Sequence, residues 1–426
     1  MKISISLIGN TMKAHQATLS NVSLYFSASL IKALVFLAIN PLIALNMSHY
    51  DYALTGFFTS FNLLFMPVMG CMFGSYYSRY FFKLDEQQRE RYYTTLCFAQ
   101  LLFGFIELLF ILIGFGIYAH FQKIEFPVFP YALLSFASII FNNSFNFLLL
   151  NYKLRKDAKS FFKISVCNIV ISVALIFLFV VILKMGALGR IMATFFATLI
   201  FCITVFLKLY SKLVFDKNIV IDAMKFCWPL MIAGSMNYFF TGIDRVMLLS
   251  LNDTTTLGLY NIAAAIAGYL VLFQNSISQT FQPDIFKAVA ENNKAKICKV
   301  LVGLNFLYTI PVVAFIIMAP LVMKILTFGR YTEAYHFARI LALQNITSGL
   351  YYSLSSLLIA YGYSKVTLIN KILGTIVSII MFKFLINTYG FYGAAWGQVS
   401  AFFIMSLISF SYISYKLIKK NKTKGN

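Results

Sequence analysis

Apolar segments of about 20 residues recur along nearly the whole chain, and no other feature limits its fold as strongly. A helix of about 20 residues spans the hydrocarbon core of a bilayer. Lipid offers the backbone no hydrogen bonds, so a segment placed there must satisfy its own N–H and C=O groups, as a helix does. The runs are also far longer than the ~10 alternating residues of a barrel strand. The sequence therefore predicts an all-α integral membrane protein.

Twelve transmembrane helices are predicted from the positions of these runs. They lie at residues 20–46, 53–77, 95–119, 128–150, 161–183, 187–208, 226–250, 257–282, 300–325, 335–360, 366–388 and 391–415. Hydrophobic residues make up 60% of the chain and charged residues only 12%, against about 25% charged in soluble domains. We expect no appended soluble domain.

The basic residues predict the orientation. Most of the 35 lysines and arginines fall at the two ends of the chain and in the even-numbered connections, which the positive-inside rule assigns to the cytoplasm. Both termini are therefore expected to be cytoplasmic. The net charge of +21 needs no nucleic-acid partner, since the basic tail SYKLIKKNKTKGN is suited to the anionic headgroups of membrane lipids.

Catalytic and cofactor signatures are missing from the sequence. Its four histidines are not spaced to share a metal, and its six cysteines form no CxxC pair. There is no GxxxxGK[ST] string for ATP hydrolysis, and no long outer loop to carry the chemistry of a polymerase. We expect no catalytic residue, no metal and no cofactor. Transport, rather than an enzymatic reaction, is the predicted class.

The second half of the sequence resembles the first. Sliding one over the other brings Gly186 and Gly189 onto Gly390 and Gly393, each pair opening a predicted span. Parallel repeats of six spans indicate two lobes related by an axis along the membrane normal, around a central cavity. The predicted domains are an N-terminal six-helix lobe, a cytoplasmic linker, a C-terminal six-helix lobe and a basic cytoplasmic tail, at residues 1–208, 209–225, 226–415 and 416–426.

Four basic residues lie in the middle or outer part of the predicted spans. An ionised side chain at the bilayer centre costs about 2.5–3.5 kcal/mol on insertion scales, so such residues usually face water or a partner. We expect a cationic cavity for an anionic substrate, formed by Lys32, Arg245, Arg339 and Lys383. The alternative for Arg245 is an interfacial arginine that reaches the outer surface.

Two acidic residues are candidates for coupling transport to an ion. Glu107 lies at the middle of the third predicted span, and Asp244 lies near the outer end of the seventh, beside Arg245. A titratable group at such depth can carry a proton or cation. The alternative for Glu107 is a protonated carboxyl hydrogen-bonded between helices, and for Asp244 a carboxylate at a helix end.

Uncharged polar residues complete the candidate site. Most amides in membrane spans serve as hydrogen bonds between helices, at about 0.6 kcal/mol each. The remainder can contact sugar hydroxyls. The candidates for sugar contacts are Asn142, Asn261, Gln274, Gln344 and Asn345.

The seventh and eighth predicted spans carry a family resemblance. The string KFCWPLMIAGSMNYFFTGIDRVMLLSLNDTTTLGLYNIAAAIAGYL, followed by QTFQPDIFKA, resembles the same two helices of polysaccharide-biosynthesis (Wzx-type) flippases in the multidrug/oligosaccharidyl-lipid/polysaccharide exporter (MOP) superfamily. The matching positions are Pro229, Asp244, Arg245, Gly258, Tyr260, Ala263 to Ala265 and Pro283. The first half departs from the pattern, since Gly56 is followed by Phe57 and the Gly-x-Tyr string is absent.

The resemblance implies a V-shaped, two-lobed flippase of the bacterial inner membrane. Its substrate would be an undecaprenyl-pyrophosphate-linked oligosaccharide, an O-antigen or capsule precursor of the kind used in lipopolysaccharide biosynthesis. The resemblance also implies alternating access driven by an ion gradient, with a polymerase and a chain-length regulator as partners. Two alternatives remain open at this point: a multidrug or cation antiporter of the same superfamily, and a membrane polymerase acting on the lipid-linked glycan.

Overall fold

Helices form all the regular secondary structure in the computed structural model of the chain, which describes residues 24, 27–28, 30–210 and 214–422. No strand occurs in those ranges. Within them, nine helical stretches are long and apolar enough to cross a membrane. The predicted all-α membrane fold is confirmed. Each predicted span coincides with a helix or with consecutive helices, while the total of twelve stays a prediction.

The helices are numbered here in chain order. They are α1 (Leu30–Asn46), α2 (His49–Met69), α3 (Phe73–Tyr80), α4 (Glu86–Phe121), α5 (Tyr131–Leu154), α6 (Ala158–Ile176), α7 (Gly186–Tyr210), α8 (Lys217–Ser235), α9 (Tyr238–Thr241), α10 (Ile243–Leu248), α11 (Thr254–Ala267), α12 (Leu270–Ala290), α13 (Lys294–Leu326), α14 (Tyr335–Ala360) and α15 (Ser364–Lys422). A π-helical segment, Phe177–Ile182, extends α6, and α15 contains a kink at Gly390.

Side-chain caps fix where several of these helices begin. Asp85 accepts a hydrogen bond from the backbone N–H of Gln88, whose side chain accepts one in return, so α4 starts with a capping box. Asp157, Asp253 and Asn293 cap α6, α11 and α13 in the simpler way. Each cap is worth about 1 kcal/mol, because it satisfies an N–H that the helix leaves unpaired.

Three of the predicted spans are discontinuous, and the eighth breaks at residues 268–269, between α11 and α12. The second breaks between α2 and α3, where Cys71 and Met72 both have a φ of 48°, in the left-handed region. The seventh breaks twice, after α8 and again at Gly242, which separates α9 from α10. Non-helical backbone at membrane depth persists only where protein or a cavity covers it. In transporters, such breaks mark binding sites.

The chain divides into two compact units. The first contains residues 1–43 and 65–232, and the second contains residues 44–64 and 233–426. The end of α1 and the first part of α2 therefore pack with the C-terminal helices. The predicted lobes, 1–208 and 226–415, remain a prediction, since they concern the parts that would move in transport.

Each unit has its own apolar core. In the first unit, Phe73, Tyr77 and Leu96 are fully buried together with Cys227 of α8. The Tyr77 hydroxyl donates a hydrogen bond of 2.9 Å to Asn151 Oδ1, so the buried phenol is satisfied. In the second unit, separate clusters form around α12, α13 and α14, around α9 and the end of α15, and between α12, α13 and the start of α14.

The repeated glycines have matching roles in the structure. Gly186 and Gly390 both have a φ of 55°, which a residue with a side chain adopts only with strain. A Cβ on Gly189 would lie 2.7 Å from a carbonyl oxygen of the preceding π-helical segment, and a Cβ on Gly393 would lie 1.8 Å from Leu385 O. Both turns thus need one glycine for its dihedral angles and another for close backbone approach.

Gly393→Ala is expected to lower the stability of the protein by about 3 kcal/mol or more, because its methyl group would overlap a carbonyl that belongs to backbone and cannot rotate away. Gly114→Ala in α4 is the matched control, since nothing lies within 4 Å of the added Cβ. That control should be neutral or stabilising by up to about 1 kcal/mol. Thermal unfolding in detergent measures both, and equal stability of the two variants would contradict this account.

Candidate functional site

Asp244 is the centre of a buried polar cluster in the second unit. It lies in the first turn of α10, directly after the break at Gly242, and is 0% exposed. Its Oδ2 accepts a hydrogen bond of 2.5 Å from the Tyr260 hydroxyl of α11 and one of 2.7 Å from Gln398 Nε2 of α15. Three helices are therefore joined through one carboxylate oxygen.

The other oxygen of this carboxylate has no partner in the described part of the chain. Asp244 Oδ1 is buried without a hydrogen bond, and so is Nε of the neighbouring, half-buried Arg245. An unpaired buried polar atom costs about 1–3 kcal/mol. Among the described residues, the carboxylate is thus held through Oδ2 alone.

Asn261, a candidate for sugar contacts, is enclosed rather than accessible. It is 5% exposed, and neither atom of its amide has a hydrogen-bond partner among the described residues. The amide lies directly over Gly56 of α2, where a Cβ would come within 2.2 Å of Asn261 Cγ. This close contact explains a glycine at position 56. In this conformation Asn261 cannot reach a substrate.

Glu107 faces the break between α2 and α3 in the first unit. Its Oε1 accepts a weak hydrogen bond of 3.9 Å from the Cys71 thiol, while its Oε2 is buried without a partner among the described residues. Next to the break, Asn143 Nδ2 donates to Met66 O at 3.2 Å. The carboxyl therefore lies beside interrupted backbone and meets no N–H or O–H donor.

Arg339 has a structural partner that the sequence did not suggest. Pro320 in α13 has no N–H, so it leaves the carbonyl of Ile316, four residues earlier, without its helical hydrogen bond. Arg339 Nε of α14 donates to that carbonyl at 3.0 Å, and its guanidinium lies 5.0 Å from the centre of the Tyr335 ring. Arg339 stabilises a proline kink, which limits its freedom to bind an anion.

The four predicted cations are divided between the two units. Lys32 lies in the first unit, whereas Arg245, Arg339 and Lys383 lie in the second. The Lys32 and Lys383 side chains are exposed, and no ion pair involves either of them among the described residues. Their role as a shared anion site stays a prediction.

The remaining amide candidates divide into two groups. Gln274 Nε2 is committed to Ser348 Oγ at 3.1 Å, and Asn345 is buried with its Nδ2 on the carbonyl of Ala342. Gln274 thus forms an ordinary interhelical hydrogen bond, and Asn345 forms a local one. Asn142 and Gln344 are half-buried. Only these last two keep an amide at a partly open position.

Sequence reasoning missed three residues of these clusters. Tyr260 was noted as part of a motif but not as a partner of Asp244, and Gln398 was not singled out at all. A glutamine inside the apolar run AAWGQVSAFF is the signal that was available. The third is Arg330, whose guanidinium donates to the carbonyls of Ala44 and Leu45 at the end of α1.

No group of three or more metal-ligating side chains occurs in the part of the chain that the structure describes. The clusters found there contain single carboxyls with neutral donors, not paired carboxyls or a nucleophile with a base. Such sites are able to hold a proton or to discriminate charge, and they lack the components of bond-breaking catalysis.

Comparison with known sequences gives one family. Residues 18–288 match the model of a family described as polysaccharide biosynthesis protein. An uncharacterized membrane protein of Methanocaldococcus jannaschii is 24% identical over 198 residues, which is 44% of this chain and 45% of that protein. The chain thus matches less than half the length of this curated relative.

Comparison with solved structures gives a shared fold. The lipid II flippase MurJ in an inward closed conformation has a TM-score of 0.73 at 16% identity, covering 92% of this chain and 87% of that one. An inward-facing multidrug resistance MATE family transporter of the MOP superfamily has a TM-score of 0.71 at 15% identity, covering 92% and 96%. A MOP superfamily transporter from Pyrococcus furiosus has a TM-score of 0.64 at 16% identity, covering 93% and 95%. The structural similarity shows a shared fold, and at identities of 15–16% it shows the fold alone.

Arg339→Met is expected to destabilise the protein by about 1.5–3 kcal/mol, because it removes a charged donor from the carbonyl of Ile316. In a Pro320→Ala background the cost should fall by about 1 kcal/mol or more, since alanine restores the N–H that this carbonyl lacks. A Pro311→Ala background should leave the cost unchanged. Thermal unfolding of the six proteins, each background with and without Arg339→Met, measures the coupling, and equal costs in both proline backgrounds would rule out this role of Arg339.

Tyr260→Phe is expected to cost about 1.5–3 kcal/mol of stability, because it takes a hydroxyl donor from a carboxylate that is sealed from water. Tyr389→Phe in α15 is the control, since that side chain is 62% exposed. The control should change stability by less than about 0.5 kcal/mol. Thermal unfolding in detergent compares the two, and a neutral Tyr260→Phe would show that the hydroxyl does not hold Asp244.

Proposed function

Since the chain belongs to the polysaccharide biosynthesis protein family, we propose that it flips lipid-linked oligosaccharides across a bacterial inner membrane. The substrate would be an undecaprenyl-pyrophosphate-linked repeat unit, the precursor of an O-antigen or capsule. The family match over residues 18–288 is the observation that carries this proposal. The fold shared with a lipid II flippase supports it, because lipid II is also a lipid-linked saccharide.

The physical task explains why such a molecule needs a protein. The prenyl tail is apolar and can stay in the bilayer throughout, whereas the pyrophosphate and the sugars must leave water to cross it. Burying an isolated ionised group in hydrocarbon costs tens of kcal/mol by the Born estimate, or on the order of 20 kcal/mol per charge. A water-filled path lined by cations removes most of that cost.

The proposed anion site consists of Lys32, Arg245 and Lys383, with a lesser role for Arg339. Lys32 and Lys383 are exposed residues, and Arg245 has an Nε without a partner among the described residues. Arg339 already donates its Nε to Ile316 O. Asn142 and Gln344 are the amides best placed for sugar hydroxyls, since their side chains are half-buried and not enclosed.

Transport would proceed by alternating access of two six-helix lobes, driven by an ion that binds Glu107 or Asp244. The support is that both carboxyls have a buried oxygen without a partner among the described residues. Binding of a cation at either would neutralise a charge that the fold otherwise leaves unpaired. The cytoplasmic position of both termini, and association with a polymerase and a chain-length regulator, belong to the same proposal.

A multidrug or cation antiporter is the second candidate. The fold shared with a MATE family transporter and the two buried carboxyls favour it. An antiporter of cationic drugs would use the carboxyls for its substrate and would gain nothing from Lys32 or Lys383. The effect of neutralising the lysines therefore separates the two functions.

Deleting the gene in its native host is expected to leave lipid-linked repeat units at the cytoplasmic leaflet and to abolish the surface glycan that they build. In proteoliposomes, Lys32→Ala and Arg245→Ala should each slow the flipping of a fluorescent undecaprenyl-pyrophosphoryl saccharide by about tenfold or more, since each removes a charged hydrogen bond to the anion. Quenching of the outward-facing label measures the rate.

Lys163→Ala is the matched control for these variants, because Lys163 is an exposed lysine near the start of α6 and belongs to no part of the proposed site. Its rate should equal that of the unchanged protein. Normal surface glycan in a deletion strain without a compensating homologue would refute flipping. Efflux of cationic drugs that depends on Glu107 but not on Lys32 would establish the antiporter instead.

A further inference from the structure

The two buried carboxyls have different surroundings. Asp244 Oδ2 accepts short hydrogen bonds from a phenol and an amide, and Arg245 follows it in the sequence. Glu107 accepts only the thiol of Cys71, at 3.9 Å, and forms no ion pair within the described ranges. A carboxylate is stabilised by donors and cations, and Glu107 meets neither. Its environment is matched to the neutral acid.

The backbone opposite Glu107 is interrupted in an unusual way. Cys71 and Met72 both have a φ of 48°, although neither is a glycine, so the break is held by its surroundings against local strain. The N–H of Met72 makes no backbone hydrogen bond, and the first turn of α3 follows immediately. A helix start presents unpaired N–H groups and a partial positive charge.

Few side chains around the break could balance a negative charge on Glu107. Cys71 reaches Glu107 from the break itself, and Cys227 of α8 donates its thiol to Met72 O at 3.4 Å. From α5, Asn143 donates to Met66 O, so its amide N–H is committed to the end of α2. Tyr76 of α3 interacts electrostatically with Cys227 and with Asp222 of α8. The titratable groups in this region are thus Glu107, two thiols, one phenol and Asp222, and in the described part of the chain no cationic side chain is bonded to Glu107 or to either thiol.

We propose that Glu107 is the proton-binding site of the transporter and that the α2–α3 break is the element its proton controls. This inference rests on the proposed function only for the link to transport. It assigns the proton to Oε2, the atom without a partner, and names the coupling ion. Asp244 instead joins α10, α11 and α15, and takes no part in proton exchange.

A proton fits the site better than a metal ion. A hard cation such as Mg²⁺ or Ca²⁺ requires six or more oxygen ligands, commonly from several carboxylates. Among the described residues, Glu107 is the one carboxylate bonded to the break, through the Cys71 thiol, and the amide of Asn143 directs its N–H to a carbonyl. A proton requires a single oxygen, and Glu107 Oε2 supplies it.

Loss of the proton would leave a negative charge on Glu107 beside the α2–α3 break. The O–H bond of the acid breaks, the proton passes to water, and the carboxylate keeps the electron pair. That charge needs a donor, and the N–H of Met72, which makes no backbone hydrogen bond, lies at the break just before α3. Attraction to it would draw the start of α3 toward α4 and alter the bend in the second span, which converts protonation into movement of a helix.

Carbodiimide labelling of the full-length protein in lipid nanodiscs tests the proton site directly. Dicyclohexylcarbodiimide reacts with protonated carboxyls in apolar surroundings, and peptide mass spectrometry identifies the modified residue. We expect a Glu107 adduct at neutral pH whose yield falls with rising pH, by about tenfold per pH unit above the midpoint. Asp244 and the exposed Glu86 should remain unlabelled.

Variants make the test specific to the geometry. Cys71→Ser replaces the thiol with a stronger donor and should shift the midpoint of Glu107 labelling to lower pH, because the carboxylate is then better stabilised. Cys71→Ala removes the donor and should shift it to higher pH. Cys167→Ala, at an exposed position on α6, should leave the midpoint in place. Labelling of Asp244 in place of Glu107, or a midpoint unaffected by Cys71, would overturn the proposal.

Flipping assays separate this inference from the proposed function. If Glu107 labels as expected but the protein does not flip saccharides, the proton site stands and the assignment of substrate fails. If the protein flips saccharides and Glu107→Gln leaves the dependence of the rate on a pH gradient intact, the proton site fails and flipping stands. We expect Glu107→Gln to abolish that dependence while the unfolding temperature stays unchanged.

Discussion

Backbone hydrogen bonding in an apolar solvent is the constraint on which this structure depends. When a helix is interrupted in water, solvent hydrogen-bonds to the freed carbonyls. In lipid, a side chain must donate those hydrogen bonds instead. The described chain supplies one at several interruptions. Arg339 meets the carbonyl freed by Pro320, Asn143 meets the end of α2 before the break, and Arg330 meets the last carbonyls of α1. Polar residues inside the spans are therefore explained by backbone before substrate needs to be considered.

The need to satisfy freed backbone carbonyls changes how charged residues in a membrane sequence are interpreted. An arginine in an apolar span predicts either a ligand site or a backbone partner, and Arg339 has the second role even though a role in the first was expected. Lys32 and Lys383 form no ion pair among the described residues, and their place in a substrate path stays a prediction. Asp244 and Glu107 show the same contrast between acids, since one is held by donors and the other faces a thiol.

Much of the fold could be predicted from the sequence because helix formation in lipid depends on local apolar length. The break between α2 and α3 could not, because Cys71 and Met72 are neither proline nor glycine and their left-handed dihedrals are imposed by tertiary packing. The pairing of Arg339 with Ile316 was hidden for a related reason. A proline in the sequence identifies the carbonyl that loses its helical hydrogen bond. The side chain that donates to this carbonyl instead is identified only by the packing of α14 on α13. Gln398 was missed because an amide in an apolar run has no periodic signature.

The glycine contacts at the two repeated turns have a practical consequence for labelling the protein. At Gly393 the backbones of consecutive segments approach so closely that a single methyl group does not fit. A fluorophore, an epitope tag or a spin label introduced in either hairpin would force the segments apart. The stretch between α4 and α5, residues 122–130, contains no glycine and exposes Gln122, Lys123 and Glu125, so it is the better location for a reporter. The connections therefore differ in the size of the inserted group that they tolerate. The distance between the backbones at each connection decides whether an added atom fits.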